Sequence, residues 1–236
     1  MKKVTKELRT NASELNDGLR KVKYNLLQTL NECHSINQCS DLLSNYINQL
    51  DTEIDFSNNN LTNIDDSIQL VPNVKILLLN HNKISSISNL SFLTQLTHLS
   101  ISDNLINMCD QLHTKLGNIR TLDLSQNSII SLRGLSKLYS LESLDVSFNK
   151  INDIEEVACI GDLPCLENLI LMGNSVATTV DYRIKILEPF GDRAREICLD
   201  NEKPSQSETD RVSILRALRI VKEGKAPTFN NTFSHS

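Results

Sequence analysis

One six-residue phrase occurs twice in this chain. It reads LDLSQN at residues 122–127 and LDVSFN at residues 144–149, 22 positions further on. Repetition at a fixed period of this size is typical of solenoid proteins, in which each repeat is a small structural unit stacked on the next. The period therefore constrains the fold more than any other property of the chain.

Alignment on the last Asn of the phrase extends the repetition to six units with the template L-x-x-L-x-L-x-x-N-x-L. Successive template Asn residues are separated by 23, 22, 23, 22 and 25 positions, and only Asp51 breaks the apolar template. These residues are Asn59, Asn82, Asn104, Asn127, Asn149 and Asn174. The pattern predicts a leucine-rich repeat array of six repeats plus a C-terminal cap over residues 51–200.

Each letter of the template has a physical reason. The L-x-L pair is a short strand of period two, so both Leu side chains point to one side. One such strand cannot bury its apolar face alone, but stacked repeats form a parallel sheet over a continuous core. Beyond the Asn, apolar residues recur at every third position, which favours 3₁₀ turns. The fold class predicted is an α/β solenoid with a curved parallel sheet, a 3₁₀ or helical convex side and helical terminal caps.

The template Asn offers one carbonyl acceptor and two amide donors on a short side chain. We expect these side chains to form a structural ladder that satisfies the buried backbone groups of the turns. On this interpretation, replacing Asn127 with Leu leaves those groups unpaired.

Both ends of an open stack need covering. Residues 1–50 are expected to form an N-terminal helical segment or cap, because apolar residues recur at helical spacing over 15–30, behind Ser13, and over 42–50, behind Ser40. Capping helices and a coiled coil with a partner are both compatible with this spacing. At the other end, residues 181–201 are expected to form a short helix and a final strand.

Residues 201–236 predict an amphipathic helix followed by a disordered tail, APTFNNTFSHS. The predicted helix begins at a capping-box-like stretch, Ser207 to Asp210, and stops before Gly224. Its predicted apolar face is Val212, Leu215, Leu218 and Val221, and its cations are Arg211, Arg216, Arg219 and Lys222. Such a helix either packs on the last repeat or acts as a membrane-surface or calmodulin-type segment.

Composition argues against several function classes. The net charge of −5 does not provide the basic stripe of a nucleic-acid binder, and no apolar run is long enough to span a membrane. The six cysteines contain no C-x-x-C pair, so neither a metal site nor a cofactor is expected. No catalytic motif is present. His81 and His98 are interpreted as contact residues without carboxylate support, and the chain is not expected to be an enzyme.

The side chains between the inward Leu positions should face the concave side of the sheet. They form a Ser/Asp stripe in the middle, which on simple alternation includes Ser125 and Ser147, and an apolar region at the far end. The predicted protein-binding residues are His98, Asp123, Asp145, Phe148, Ile170 and Met172. The alternative is that the C-terminal cap covers Ile170 and Met172.

Two longer segments carry a more specific resemblance. They are GLSKLYSLESLDVSFNKINDIEEVACIGDLPCLENLILMGN at residues 134–174 and DYRIKILEPFGDRAREICLDN at residues 181–201. With the text from His113 to the C-terminal helix, about half the chain resembles the leucine-rich region of the nischarin family. The resemblance implies a cytosolic signalling scaffold that contacts integrin tails and Rac/PAK components and restrains cell migration.

Members of that family often carry a PX domain that binds endosomal phosphoinositide. No such domain is found ahead of Asp51, so lipid contact is not expected, although the resemblance itself implies endosome association beside the cytoplasmic location. The 22-residue repeats also resemble the intracellular class that includes the phosphatase-1 regulatory subunit. A regulatory subunit of that type and a generic structural adaptor are the alternatives to the signalling scaffold.

Overall fold

The computed structural model describes residues 52–222, and the predictions for residues 1–50, for Asp51 and for the tail at 226–236 lie outside that range. Seven short parallel strands form one sheet in strict chain order. They are β1 (Glu53–Asp55), β2 (Ile76–Leu78), β3 (His98–Ser100), β4 (Thr121–Asp123), β5 (Ser143–Asp145), β6 (Asn168–Ile170) and β7 (Cys198–Leu199). This order, one strand per repeat, confirms the leucine-rich repeat solenoid predicted from the sequence.

The sheet register repeats the sequence template. Leu77 is paired with Leu99, which is paired in turn with Leu122, so equivalent template positions lie side by side. The inward Leu, Ile and Val side chains of the repeats form one continuous buried cluster. A period-two strand places its intervening residues on the opposite face, which leaves the x of each L-x-L pair on the concave surface.

The convex side contains more kinds of local structure than the 3₁₀ turns that apolar residues at every third position predict. It contains the 3₁₀ turns Asp66–Leu70, Arg133–Leu135 and Ser175–Thr178, and the one-turn helices α1 (Leu112–Lys115) and α2 (Ile154–Ala158). Residues 84–93, which carry the same spacing, form turns and bends without a helix. The 25-residue interval between the last two template Asn residues accommodates α2, whose N-cap Asp153 accepts a hydrogen bond from the Glu155 N–H at 3.0 Å.

The C-terminal end is built from α3 (Tyr182–Leu187), the 3₁₀ segment Glu188–Glu196, strand β7 and α4 (Gln206–Lys222). The predicted capping stretch Ser207–Asp210 was wrong by two residues. The Ser205 hydroxyl instead receives the Glu208 N–H at 3.3 Å, and the Glu208 carboxylate receives the Ser205 N–H at 2.8 Å. This reciprocal pair is a capping box, and it starts α4 two residues earlier than expected.

Candidate protein-binding face

The template Asn side chains connect neighbouring repeats. The Asn127 amide donates to the carbonyls of Leu124 and Ser125 in its own repeat and to Ile101 in the preceding one, at 3.0–3.1 Å. Its oxygen accepts the Ile106 N–H at 3.0 Å. The same arrangement recurs at Asn82, Asn104, Asn149 and Asn174, all buried. Asn59 is only half-buried and donates within its own repeat, to Ser57. The ladder fixes the spacing of the strands and therefore the shape of the concave face.

The residue before each ladder Asn adopts a left-handed backbone conformation. Its φ is +55° at His81, +54° at Gln126, +52° at Phe148 and +74° at Gly173. This conformation turns the chain out of the strand and projects the side chain onto one rim of the concave face. The non-glycine residues hold an uncommon conformation because the ladder hydrogen bonds determine the path of the backbone.

Asp123 and Asp145 lie side by side at the centre of the face, directly paired in the β4–β5 register. Each uses one carboxylate oxygen to accept the N–H of the serine two residues later, Ser125 at 2.9 Å and Ser147 at 2.8 Å. The other oxygen of Asp123 accepts the Ser100 hydroxyl at 2.9 Å. The carboxylates therefore end their strands structurally and still present negative charge on the surface.

Two residues of the predicted Ser/Asp stripe are not on the face. Ser125 and Ser147 are buried, because each strand ends at the aspartate and the chain turns inward immediately after it. Side chains alternate between the two faces of the sheet only within a strand, so the alternation does not extend past its last residue. The hydroxyl that does line the stripe beside Asp123 is that of Ser100.

The far end of the face is apolar and open. Met172 is 37% exposed and Phe148 is 56% exposed, and the Phe148 N–H donates to the Met172 carbonyl at 2.8 Å. The Phe148 ring lies over Gly173, where an added Cβ would be only 2.4 Å from the ring carbon Cδ1. Ile170 is half-buried beside them. A side chain at position 173 would therefore have to displace the Phe148 ring from this place.

The C-terminal cap closes the sheet without covering Met172. Asp200 accepts the N–H groups of Leu171 and Met172 at 2.7 and 3.0 Å, and its other oxygen accepts the Tyr182 hydroxyl at 2.8 Å. Burial, reinforced by the neighbouring Asp200 carboxylate, raises the pKa of Tyr182 well above its usual range. The cap therefore satisfies the backbone at the end of β6 and leaves the apolar side chain accessible.

The histidines differ in their surroundings. His98 lies exposed on β3, and its Nδ1 is 2.8 Å from the Thr97 hydroxyl. The prediction that His81 lacks carboxylate support was wrong, because its Nδ1 lies 2.7 Å from Oδ2 of Asp103. Both residues of this pair occupy the rim position one repeat apart, and both side chains are more than half exposed. The pair adds a polar contact to the rim.

Helix α4 packs on the C-terminal cap, but most of its predicted apolar face is not used for that packing. Of the predicted apolar face only Val212 is buried, whereas Leu215, Leu218 and Val221 are exposed. Two of the arginines instead face the protein: Arg216 pairs with Asp192, and Arg219 pairs with Glu188 at 3.0 Å. The helix is held by its cations because the cap presents carboxylates to it.

Residues 52–222 contain no cluster of three or more potential metal ligands and no helix long and apolar enough to cross a membrane. Burial raises the pKa of the Cys109 thiol to about 12 and that of Cys159 to about 11. Thiols with such values stay protonated near neutral pH and are poor nucleophiles.

The fold and the ladder define the chain as a leucine-rich repeat protein. Solved structures that it resembles include an internalin from Listeria monocytogenes, at 29% identity and a TM-score of 0.45 over 50% of this chain and 34% of that one. A second is the SNF/U2A′ complex of Drosophila melanogaster, at 24% identity and a TM-score of 0.48 over 60% and 83%. The functional domain of InlJ from Listeria monocytogenes matches at 27% and 0.41, over 51% and 25%. The chain thus spans about a third of the first internalin.

The sequence model of the Prominin family matches residues 1–153, about two thirds of the chain, and the chain belongs to that family. The match ends at Asp153, one residue before α2, between strands β5 and β6. The repeat geometry continues without a break across this boundary into β6 and β7. The assignment to the leucine-rich repeat class therefore rests on the sheet and its ladder, and the functional proposals rest on the surface they build.

Proposed function

We propose that this protein is a non-enzymatic protein–protein interaction scaffold and that its concave face is the binding surface. The observation that supports this most directly is the open apolar end of the face, Phe148 and Met172, next to the acidic centre formed by Asp123 and Asp145. Exposed apolar side chains beside a polar surface are typical of protein-binding sites. His98 and Ile170 extend the same surface along the sheet.

The chemistry of the face specifies the kind of ligand. Two carboxylates on adjacent strands attract a cationic group, and the hydroxyl of Ser100 beside them can bond to polar side chains. A basic or hydroxyl-rich helix or peptide could place its charge over Asp123 and Asp145 and an apolar side chain against Phe148 and Met172. Complementary charge would orient this ligand, while burial of the apolar end would supply most of the affinity.

The first test is a pull-down or proximity-labelling comparison of the wild-type chain with a double variant, Asp123→Asn/Asp145→Asn. Asparagine keeps a side-chain oxygen for the Ser125 and Ser147 N–H groups and removes the charge. At position 123 its amide would donate to the Ser100 hydroxyl oxygen, where the aspartate accepts from that hydroxyl. Asp55→Asn is the matched control, because Asp55 caps Ser57 in the same way at the far end of the sheet. We expect the partners of the wild type to be lost from the double variant and retained by the control.

A second variant tests the apolar end. Met172→Asp places a charge beside Phe148 without removing any side-chain hydrogen bond of the cap, since Asp200 binds the Met172 backbone. Circular dichroism establishes that each variant is folded. If folded Met172→Asp and the double Asn variant both retain every wild-type partner, binding lies elsewhere and the assignment of the concave face is incorrect.

The resemblance of residues 113–222 to the nischarin family supports a more specific proposal. The scaffold would act in integrin–Rac signalling in the cytoplasm, with integrin tails and Rac/PAK components as partners and cell migration as the process. Endosome association would follow from the same resemblance. Recovery of Rac or PAK components in the pull-down, dependent on Asp123 and Asp145, is the outcome that this proposal requires.

The leading alternative is a phosphatase-1 regulatory type of leucine-rich repeat subunit. It is favoured by the 22-residue repeat period, which resembles the intracellular class. Recovery of phosphatase-1 without Rac or PAK components would select it. If neither set is recovered and the concave variants change nothing, a generic structural adaptor is the remaining interpretation.

The domain organisation that we propose has three parts. Residues 1–50 form the N-terminal helical segment or cap, residues 51–200 form the six repeats with their C-terminal cap, and residues 201–236 form the amphipathic helix and a tail. The division at residue 200 follows the last strand, since β7 ends at Leu199 and Asp200 completes the hydrogen bonding of β6. Limited proteolysis followed by mass spectrometry would test these boundaries.

A further inference from the structure

Helix α4 exposes a continuous apolar stripe to solvent. Ile214 is 60% exposed, Leu218 is 53% exposed and Val221 is 60% exposed, and they follow one another at spacings of four and three residues. Such a spacing places all three on one face of a helix. The stripe lies on the side opposite Val212, the buried residue of this helix, so packing against the cap does not use it.

The polar side of α4 is already occupied. Arg216 pairs with Asp192, and an added Cβ at Gly191 would lie only 3.0 Å from the Arg216 Cζ, so this glycine is what lets the guanidinium approach. Arg219 pairs with Glu188, and Glu208 pairs with Arg183. These ion pairs determine which face of the helix is turned outward, and they direct the apolar stripe away from the body of the protein.

One flank of the stripe is basic. Arg211, Leu215, Leu218 and Lys222 are spaced four, three and four residues apart, so two cations terminate a row of apolar side chains. Beside this row, α3 contributes Lys185 to a shallow cleft that it shares with Arg211 and Ile214. Asp181 lines the same cleft and neutralises Arg211 at 2.8 Å, whereas Lys185 and Lys222 have no ion-pair partner within residues 52–222.

These features favour a helical protein ligand over a membrane or a second copy. An interfacial membrane helix uses a strongly basic polar face, but here Arg216 and Arg219 are neutralised by Asp192 and Glu188 of the cap. In an antiparallel pair of α4 helices, the side of the helix that carries Arg211 and Lys222 would meet the same side of the other copy. Lys222 would then approach the Arg211–Asp181 pair of the other copy, so it would gain no carboxylate that is free of a cation.

We propose that the stripe Ile214, Leu218 and Val221 docks an amphipathic α-helix of a partner protein whose apolar face is bordered by acidic side chains. The apolar face of that helix covers the stripe, and its carboxylates lie against Lys185 and Lys222. This is helix-on-helix recognition through a row of apolar anchors, with charge setting the orientation. It uses a surface distinct from the concave face.

Two designed helical peptides test the proposal directly. They share one row of leucines at helical spacing and differ only in the flanking residues, glutamate in one and lysine in the other. Fluorescence anisotropy measures the binding of each to the full chain. We expect the glutamate peptide to bind about tenfold more tightly than the lysine peptide, since two exposed charge contacts change sign.

Matched variants assign any binding to the stripe. Ile214→Gln/Leu218→Gln keeps helix-forming residues and should reduce affinity for the glutamate peptide by more than about tenfold. Lys185→Gln/Lys222→Gln should abolish the preference between the two peptides. Val180→Gln is the control, because Val180 is a highly exposed apolar residue outside α4. The Asp123→Asn/Asp145→Asn variant should bind the glutamate peptide like the wild type, which separates this test from that of the concave face.

Three results would overturn the proposal. One is a dissociation constant above about 1 mM for both peptides, or the same dissociation constant for the two. Another is that the wild type, but not Ile214→Gln/Leu218→Gln, sediments with vesicles of phosphatidylcholine and phosphatidylserine, which would make the stripe a membrane contact. The third is concentration-dependent dimerisation in sedimentation velocity that the same variant abolishes, which would make the occupant a second copy.

Discussion

The interior of the repeat array and its C-terminal end satisfy the same backbone requirement with different chemistry. In the interior, buried Asn side chains supply both donors and acceptors to the turns, as Asn127 does. At the end, charged side chains take over: Arg193 donates to the carbonyls of Leu163 and Leu166, and Asp200 accepts the Leu171 and Met172 N–H groups.

This difference follows from the neighbours that each region has. An interior turn lies between two equivalent turns, so the side chain of one Asn lies within hydrogen-bond distance of its backbone groups. The same arrangement recurs in every repeat. The last turn has no further copy, and the side chain that reaches it must come from an irregular segment. Interior positions should therefore respond to substitution strongly and alike, while positions at the end should respond locally and individually.

The largest effect is expected at the interior ladder. Asn127→Leu leaves the buried Ile106 N–H without a partner, at about 1–3 kcal/mol. The carbonyls of Ile101, Leu124 and Ser125 each lose one donor, although Ile101 keeps the Asn104 amide, so the free energy of unfolding should fall by about 3 kcal/mol or more in total. Asn59→Leu is the matched control, because Asn59 is half-buried and donates only within its own repeat. Urea unfolding curves measure both. Equal losses at the two positions would contradict the distinction between ladder and edge.

The next effect concerns the close approach of two repeats on the convex side. A Cβ on Gly134 would lie 1.7 Å from the Cys109 carbonyl oxygen, so Gly134→Ala must displace the backbone, at a cost of about 1–3 kcal/mol. Gly117→Ala should be nearly neutral, because no atom lies within 4 Å of its added Cβ. Thermal unfolding of the two alanine variants gives the comparison. A Gly134→Ala variant as stable as Gly117→Ala would show that the repeats can separate there without cost.

At the C-terminal end, Arg193→Lys tests whether the loss stays local. A lysine cannot reach two carbonyls with a planar fork, so one of the Leu163 and Leu166 carbonyls loses its donor, at about 1–2 kcal/mol. Hydrogen exchange should increase in β6 and β7 and remain unchanged in β2 to β4. Arg195→Lys serves as the control at an exposed position two residues later. Faster exchange throughout the sheet would instead indicate that the end and the interior unfold together.

The contrast also explains what the sequence could and could not predict. The inward Leu positions, the strand order and the place of the ladder Asn followed from periodicity, because each interior repeat is surrounded by copies of itself. The pairing of His81 with Asp103 could have been found in the same way, since both precede a ladder Asn. The capping box at Ser205 and Glu208 was also readable, because S-x-x-E stands in the sequence at those positions.

The orientation of α4 could not be predicted in that way. Amphipathic spacing assigns the apolar side chains to the core by default, and it contains no information on Asp192 and Glu188, the carboxylates that bind the helix arginines. Those residues belong to an irregular segment whose position only the folded chain defines. Strand alternation likewise predicts which side chains lie on the concave face only as far as each strand extends. It was wrong at Ser125 and Ser147, which lie beyond the last strand residue and are buried.

The smallest effect is expected at Glu208, where α4 is attached to the end of the array. Partial burial alone would raise the pKa of Glu208, but hydrogen bonds from the Ser205 N–H and from Arg183 hold it below its ordinary value of 4.5. A carboxyl whose pKa is lowered by folding stabilises the folded state above its unfolded pKa, and this contribution is lost as the pH falls through the folded pKa. Acidification below about pH 4.5 should therefore loosen the N-terminus of α4 before the repeats respond, with a contribution of about 1 kcal/mol or less.

Glu208→Gln should show that loosening already at neutral pH, measured by hydrogen exchange of α4. Because Asp181, Glu188 and Asp192 also pair with α4 arginines, the wild-type minus Glu208→Gln difference isolates this group. A difference that stays constant from neutral to acidic pH would mean that Glu208 contributes no pH-dependent attachment, and that the other arginine pairs hold the helix on the cap.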